Sequence, residues 1–164
     1  MPTPEFVLEL RRHIGTAPLW LSGVTAVVLR ERRNSSDGGV LEVLLVRRAD
    51  NGAWTPVTGI IDPGEEPAVA AAREVLEESG VVATATRLAS VSVTEEVVYD
   101  NGDRSQYLDL TFRFTWASGD PHPADGENTE ARWFAVGNLP PMSERMRARL
   151  DSALAERGEA TFRV

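Results

Sequence analysis

Cysteine is absent from this 164-residue chain. Its absence removes disulfides, a thiolate nucleophile and cysteine-ligated zinc, and it suits a reducing compartment such as the cytoplasm. Histidine is almost as scarce: His13 and His122 have no partner spacing for a zinc site or a catalytic dyad, and both read as surface or packing residues. Positive charge is the minority sign, with 17 Lys and Arg against 25 Asp and Glu, a formal net charge of −8. That balance argues against a partner that is a nucleic-acid polymer, because such binders carry basic surfaces that release counterions from phosphates. An acidic protein that handles phosphates needs a metal ion between the charges. Long apolar runs are missing too. The longest, Leu19 to Leu29, is broken by Ser22 and Gly23 and is too short to span a bilayer, and the N-terminus shows no signal-peptide pattern. The sequence therefore predicts a soluble, unexported protein without a membrane partner.

What is present is ordinary for a globular chain: 42% hydrophobic and 26% charged residues, at a length that suits one domain over residues 1–164. Helical spacing of Phe6, Val7 and Leu10 predicts a leading helix over about 4–13. Strands are predicted at Thr25 to Arg30 and Val40 to Arg48 around a polar turn. A Gly- and Pro-rich loop with a short strand near Trp54 to Gly59 follows. The best helix is Ala68 to Ser79, with Pro67 in its first turn and Gly80 as its stop. Strands at Leu88 to Tyr99 and Gln106 to Ala117 flank an Asn-Gly turn, and Ala131 to Val136 is another strand. A closing helix over about 142–157 with Gly158 as its cap and an edge strand over Ala160 to Val164 complete the reading. This order suggests a mixed α/β sandwich of layers.

The helix over Ala68 to Ser79 carries Glu74, Glu77 and Glu78. Acidic side chains in a last turn oppose the helix dipole, and Glu74 with Glu78 is a like-charged i,i+4 pair. On a helical wheel the three fall within an arc of roughly 100°, with Ala68, Val69, Ala72, Val75 and Leu76 opposite, read as the core face. A solvated acidic face is one explanation. A hard divalent cation such as Mg²⁺ or Mn²⁺ among the carboxylates is the other, since oxygen ligands suit it and its charge offsets their repulsion. Gly59, Pro63 and Gly64 permit a tight loop that turns Glu65 back toward the helix, where Arg73 is placed to hold Glu65 and Glu77.

Gly59, Glu65 and the run Arg73-Glu74-Val75-Leu76-Glu77-Glu78-Ser79-Gly80-Val81 reproduce without departure the box G-x5-E-x7-R-E-U-x-E-E-x-G-U, where U is aliphatic. In this box, residues 59–81, and in the flanking LEVLLVRR, GAWTPVTG and EARWFAVGNLP, the chain resembles the Nudix (MutT-like) hydrolase family. The resemblance implies an α/β/α sandwich with a mixed β-sheet. It also implies a Mg²⁺- or Mn²⁺-dependent pyrophosphohydrolase acting on a nucleoside diphosphate linked to another moiety, such as a nucleoside triphosphate or ADP-ribose. Carried over by position, Glu74 and Glu78 are metal ligands and Glu77 is a further ligand or a base. Arg73 and Glu65 orient that cluster, Gly59 serves the loop and Gly80 the helix end. Many relatives place another acid in the later loop, here Glu127 or Glu130, and many are homodimers. Val57-Thr58 stands where the family commonly has Pro-Gly or Gly.

Other residues carry weaker signals. Trp54, Tyr99 and Tyr107 read as core aromatics before base-stacking platforms, and Arg47 and Arg48 as surface residues before phosphate contacts. No residue is assigned to substrate binding. A Nudix-fold sensor that binds nucleotides with little hydrolysis is the alternative function, which the intact box carboxylates disfavour. An isopentenyl diphosphate isomerase, expected to need a cysteine, is disfavoured in a chain without one.

Overall fold

The computed structural model describes residues 3–33 and 39–162. In chain order its elements are α1 (Glu5–Ile14), β1 (Leu19–Arg33), β2 (Gly39–Arg48), β3 (Trp54–Thr55), β4 (Val57–Ile60) and α2 (Pro67–Ser79), then β5 (Val82–Val93), β6 (Val97–Val98), β7 (Arg104–Ser118), β8 (Asn128–Ala135), α3 (Glu144–Leu154) and β9 (Thr161–Phe162). The middle of the turn expected between the first two strands, 34–38, and the last two positions of the expected edge strand lie outside the described residues.

The sheet runs β3-β2-β1-β7-β5-β9, with β4 pairing Gly23 to Ala26 of β1, β8 pairing Glu42 to Arg48 of β2, and β6 pairing β7. It is mixed: β1 lies parallel to β7 and β5 to β9, and the other pairs are antiparallel. Strand alternation sends Val24, Ala26 and Val28 of β1 to one face, where they pack with Leu44, Val46, Phe114 and the α2 residues Ala70, Ala71 and Val75. Val27 and Leu29 go to the other face and pack with Val43, Leu45 and the α3 residues Leu150 and Ala153. Burial on both faces explains why β1 reads as a nearly continuous apolar run. The layers are helix, sheet, helix, as the resemblance implies. No helix among the described residues is long and apolar enough to cross a membrane.

Several boundaries differ from expectation: β1 begins at Leu19 and runs to Arg33, β8 begins at Asn128, and the strand expected to reach Tyr99 ends at Val93 with the short β6 after it. α3 starts at Glu144 because the Ser143 hydroxyl accepts from the Met146 amide, an N-cap. It ends at Leu154, before Gly158, because Arg87 donates to the carbonyls of Ser152, Ala153 and Ala155. β5 begins at Val82, straight after the α2 cap, its early residues pairing with the end of β7 through register shifts. Tyr99, read as core, is exposed, with its hydroxyl 2.6 Å from that of Tyr107.

The larger correction concerns α2. Its sheet-facing side consists of Ala70, Ala71, Glu74, Val75, Glu78 and Ser79. Val69 and Leu76, assigned to the core face, are 58% and 50% exposed. The wheel sorted residues by polarity, whereas the fold turns two of the three carboxylates inward.

Candidate active site

α2 opens on Pro67, whose missing N–H costs nothing at a first helical position, and closes on Gly80. Gly80 adopts φ +68 in the left-handed region, and its amide donates to the Leu76 carbonyl. A side chain there would also meet the His122 ring at 2.1 Å. The segment after β7 lies across this helix end, with the amides of His122 and Ala124 donating to the Ser79 and Glu78 carbonyls at 3.0 and 3.3 Å. Two of the last-turn carbonyls are thus capped by backbone in place of the basic side chains that α2 lacks there.

β4 runs beside β1 and brings Gly59 over α2. A Cβ on Gly59 would lie 2.3 Å from the Glu74 side chain, so glycine at this position is what lets the carboxylate in. Glu74 is 1% exposed and Glu78 is 6% exposed. Burial pushes Glu74 up to about 8, with Glu78 and Glu77 adding to the rise and Arg73 opposing it. Burial likewise pushes Glu78 up to about 7 against the hydrogen bond it accepts from Asn128. The Oε2 atom of Glu74 has no hydrogen-bond partner among the described residues.

Arg73 organises the rest. Its Nε and Nη2 donate to the two oxygens of Glu65 at 3.0 and 2.9 Å, a bidentate pair. Its Nη1 donates to Glu74 at 2.9 Å and to Glu77 at 3.1 Å, and Nη2 also reaches the Ile60 carbonyl. These bonds hold Glu65 below the usual carboxylate range and raise Arg73 further, so both stay charged. A cleft of about 340 Å³ opens beside this group, lined by Phe6 of α1 and by Asp62, Pro63, Arg73 and Glu77.

The residues singled out in the sequence therefore divide. Glu65, Arg73, Glu74, Glu77, Glu78 and Gly59 come together on the α2 side of the sheet, and Gly80 closes the helix that carries three of them. Glu130 does not join them. It neighbours Ala131, which packs in the α2-side core, so it faces the opposite side, where Arg47 and Arg132 pair with it. Glu127 precedes β8, its carbonyl accepting from the Ala49 amide. At the start of β8, Asn128 reaches the carboxylates, its Nδ2 donating to Glu78 Oε2 at 2.9 Å, and Asp125 before it adds to the rise of Glu78. Sequence reading passed over Asn128 for its acidic neighbours; no spacing in the motif marks it.

A family model described as the NUDIX domain matches residues 21–156. The chain belongs to the Nudix hydrolase family. It is 30% identical over 120 residues to the NAD-capped RNA hydrolase NudC of Vibrio cholerae serotype O1, covering 70% of this chain and 42% of that protein. A MutT-like protein of Streptomyces ambofaciens is 34% identical over 129 residues, covering 79% of this chain and 71% of the relative. The crystal structure of a MutT NUDIX hydrolase from Burkholderia pseudomallei superposes with a TM-score of 0.57 at 26% identity, covering 82% of this chain and 97% of that one. This Nudix chain thus spans less than half the length of the NudC relative.

Nudix hydrolases generally use divalent metals. Among the described residues no three acidic or histidine side chains form a ready cage for one. Glu74 and Glu77 both turn to Arg73, and Glu78 turns to Asn128. The donor chemistry fits such a cation: two buried carboxylates, their pKa values raised by burial, one with an orphaned oxygen, against a glycine that leaves them room. Oxygen donors of this kind suit Mg²⁺ or Mn²⁺ over softer metals.

Proposed function

We propose that this Nudix protein, with residues 1–164 as one domain, hydrolyses the diphosphate linkage of a nucleoside diphosphate joined to another moiety, using Mg²⁺ or Mn²⁺ held by Glu74, Glu78 and Glu77. The carrying observation is the buried Glu74–Glu78 pair with Glu74 Oε2 unpartnered. Two acids this deep, with so little compensation, are costly unless something positive binds them. A divalent cation there would offset the charge on the diphosphate and acidify the attacking water.

The chain's own residues supply the remainder. Arg73 fixes Glu65, Glu74 and Glu77 in one array, so that their rotamers are set before substrate arrives. Glu77 sits at the solvent edge of that array, its side chain 51% exposed, where it can take a proton from water or serve as a third ligand. The cleft beside Arg73 and Glu77 offers space for part of the substrate.

The test is release of phosphate or mononucleotide from a panel of nucleoside triphosphates, ADP-ribose, dinucleotides and an NAD-capped RNA, the last because one relative bears that substrate in its name. Wild type is compared with Glu78→Gln in Mg²⁺, in Mn²⁺ and in chelator. Metal-dependent turnover lost in the variant supports the reading and names the substrate class. Tight binding of one member without turnover overturns it in favour of a nucleotide sensor.

A further inference from the structure

Asn128 owes its position to a β-bulge. β8 pairs with β2 as Ala131↔Val46 and Glu130↔Arg47, but the next partner of Arg48 is Asn128, so Thr129 is an extra residue. Regular alternation would put Asn128 on the Glu130 side of the sheet, away from α2. The extra residue reverses the alternation, and Asn128 and Ala131 both point inward, each buried. The Thr129 hydroxyl donates to the Arg47 carbonyl at 3.3 Å, pinning the bulge. On the other side, the Ala49 amide holds the Glu127 carbonyl at 2.8 Å, and Ala124 is tied to the end of α2.

A backbone irregularity anchored on both sides thus delivers one amide N–H to one oxygen of Glu78, from 50 residues away in sequence. Asn128 is 6% exposed, as is Glu78, so water has little room to replace the bond. Because the amide donates to Oε2, it fixes the carboxylate plane and with it the direction of Oε1.

We propose that Asn128 is a positioning residue of the active site, which sets the rotamer of Glu78 for metal binding and acts on the reaction only through it. The inference rests on Glu78 being a metal ligand.

The experiment measures Mn²⁺ dissociation constants by electron paramagnetic resonance of the free ion, with kcat and KM on the substrate found above, for wild type, Asn128→Leu and Asn128→Ser. Leucine keeps the shape and removes the donor; serine keeps a donor. Asn128→Leu should weaken Mn²⁺ binding by about 10- to 100-fold and lower kcat while KM for the nucleotide changes little, and Asn128→Ser should restore part of both. If both variants only melt earlier in chelator, with Mn²⁺ affinity and kcat as in wild type, Asn128 is structural and the proposal falls. Should Asn128→Leu not fold, Asn128→Ala against Asn128→Ser gives the same comparison. Wild type that neither binds Mn²⁺ nor hydrolyses any substrate would overturn the proposed function itself; a wild type that does both beside an unaffected Asn128→Leu overturns this inference alone.

Discussion

Under α3, Asp109 and Arg149 are 3% and 7% exposed and lie 3.2 Å apart. The hydroxyls of Thr25 and Thr111 donate to the two oxygens of Asp109, both at 2.9 Å, and Arg149 also donates to Thr25. Under α2, on the other face of the same sheet, two carboxylates are equally deep. Half-buried Arg73 bonds Glu74, the Asn128 amide bonds Glu78 with Arg48 further off, and Glu74 Oε2 has no partner among the described residues. Opposite charges close together with both acid oxygens satisfied form a cluster whose charges offset one another, although Arg149 Nε has no partner among the described residues. Like charges with an orphaned oxygen form a cluster that needs a further cation. Under the proposed function, the contrast separates a buried charge group that serves folding from one that serves binding, although the two look alike in burial.

The sharpest way to break that contrast is to neutralise one charge on each side. Glu78→Gln keeps size and an oxygen for Asn128, so the fold should persist while metal-dependent hydrolysis falls by about 10³-fold, roughly 4 kcal/mol of transition-state stabilisation. A variant retaining more than a tenth of wild-type kcat/KM would show that the α2 cluster is not where the chemistry happens. Asp109→Ala should do the reverse. Removing one partner of a buried pair strands the other charge and costs about 3–5 kcal/mol, read as a lower urea midpoint. Activity per folded molecule well below the melting temperature should stay within a few-fold. Equal losses of activity in the two variants would erase the distinction.

Gly59→Ala probes the same contrast through packing. The new methyl would meet Glu74 at 2.3 Å, and either the carboxylate or β4 must shift. We expect about 1–3 kcal/mol of destabilisation together with at least a tenfold loss of kcat. The pairing of the two losses is the informative result, because an overpacked strand that left Glu74 in place would cost stability alone.

These residues also show what could be read from the sequence and what could not. Gly59, Glu65, Arg73 and the three glutamates were legible because the motif fixes their spacing; the bond Arg73 makes to Glu77 follows from helix geometry, and the pair it makes with Glu65 from the tight loop that turns Glu65 back. The inward turn of Glu74 and Glu78 was not legible. A wheel ranks positions by polarity and places Val69 and Leu76 inside, but the face that packs is chosen by the sheet and by the space Gly59 leaves. Asn128 was out of reach for a different reason. Its facing depends on a single extra residue in β8, and alternation read from sequence cannot register a bulge. The helix ends follow the same division: Gly80 is a local signal that held, while the end of α3 is set by Arg87, remote in sequence.

The last effect is one of pH, and a variant ties it to the α2 cluster. Burial raises Glu74 to about 8 and Glu78 to about 7, from 4.5 for both. Between those limits the folded chain therefore binds more protons than the unfolded one, and stability falls as pH rises from about 4.5 to 8, then levels off. In chelator the melting temperature should therefore fall as pH is raised across that window. Asp109, also raised by burial, pulls in the same direction, so wild type alone cannot assign the effect. Glu74→Gln can: the amide cannot ionise, and the slope should shrink while the Asp109 contribution stays. Saturating Mn²⁺ should flatten or reverse the wild-type slope, because binding draws the carboxylates into their charged form and releases protons. A slope unchanged by the variant and by the metal would mean that Glu74 is ionised without help, and the case for a cation beneath α2 would lose its electrostatic support.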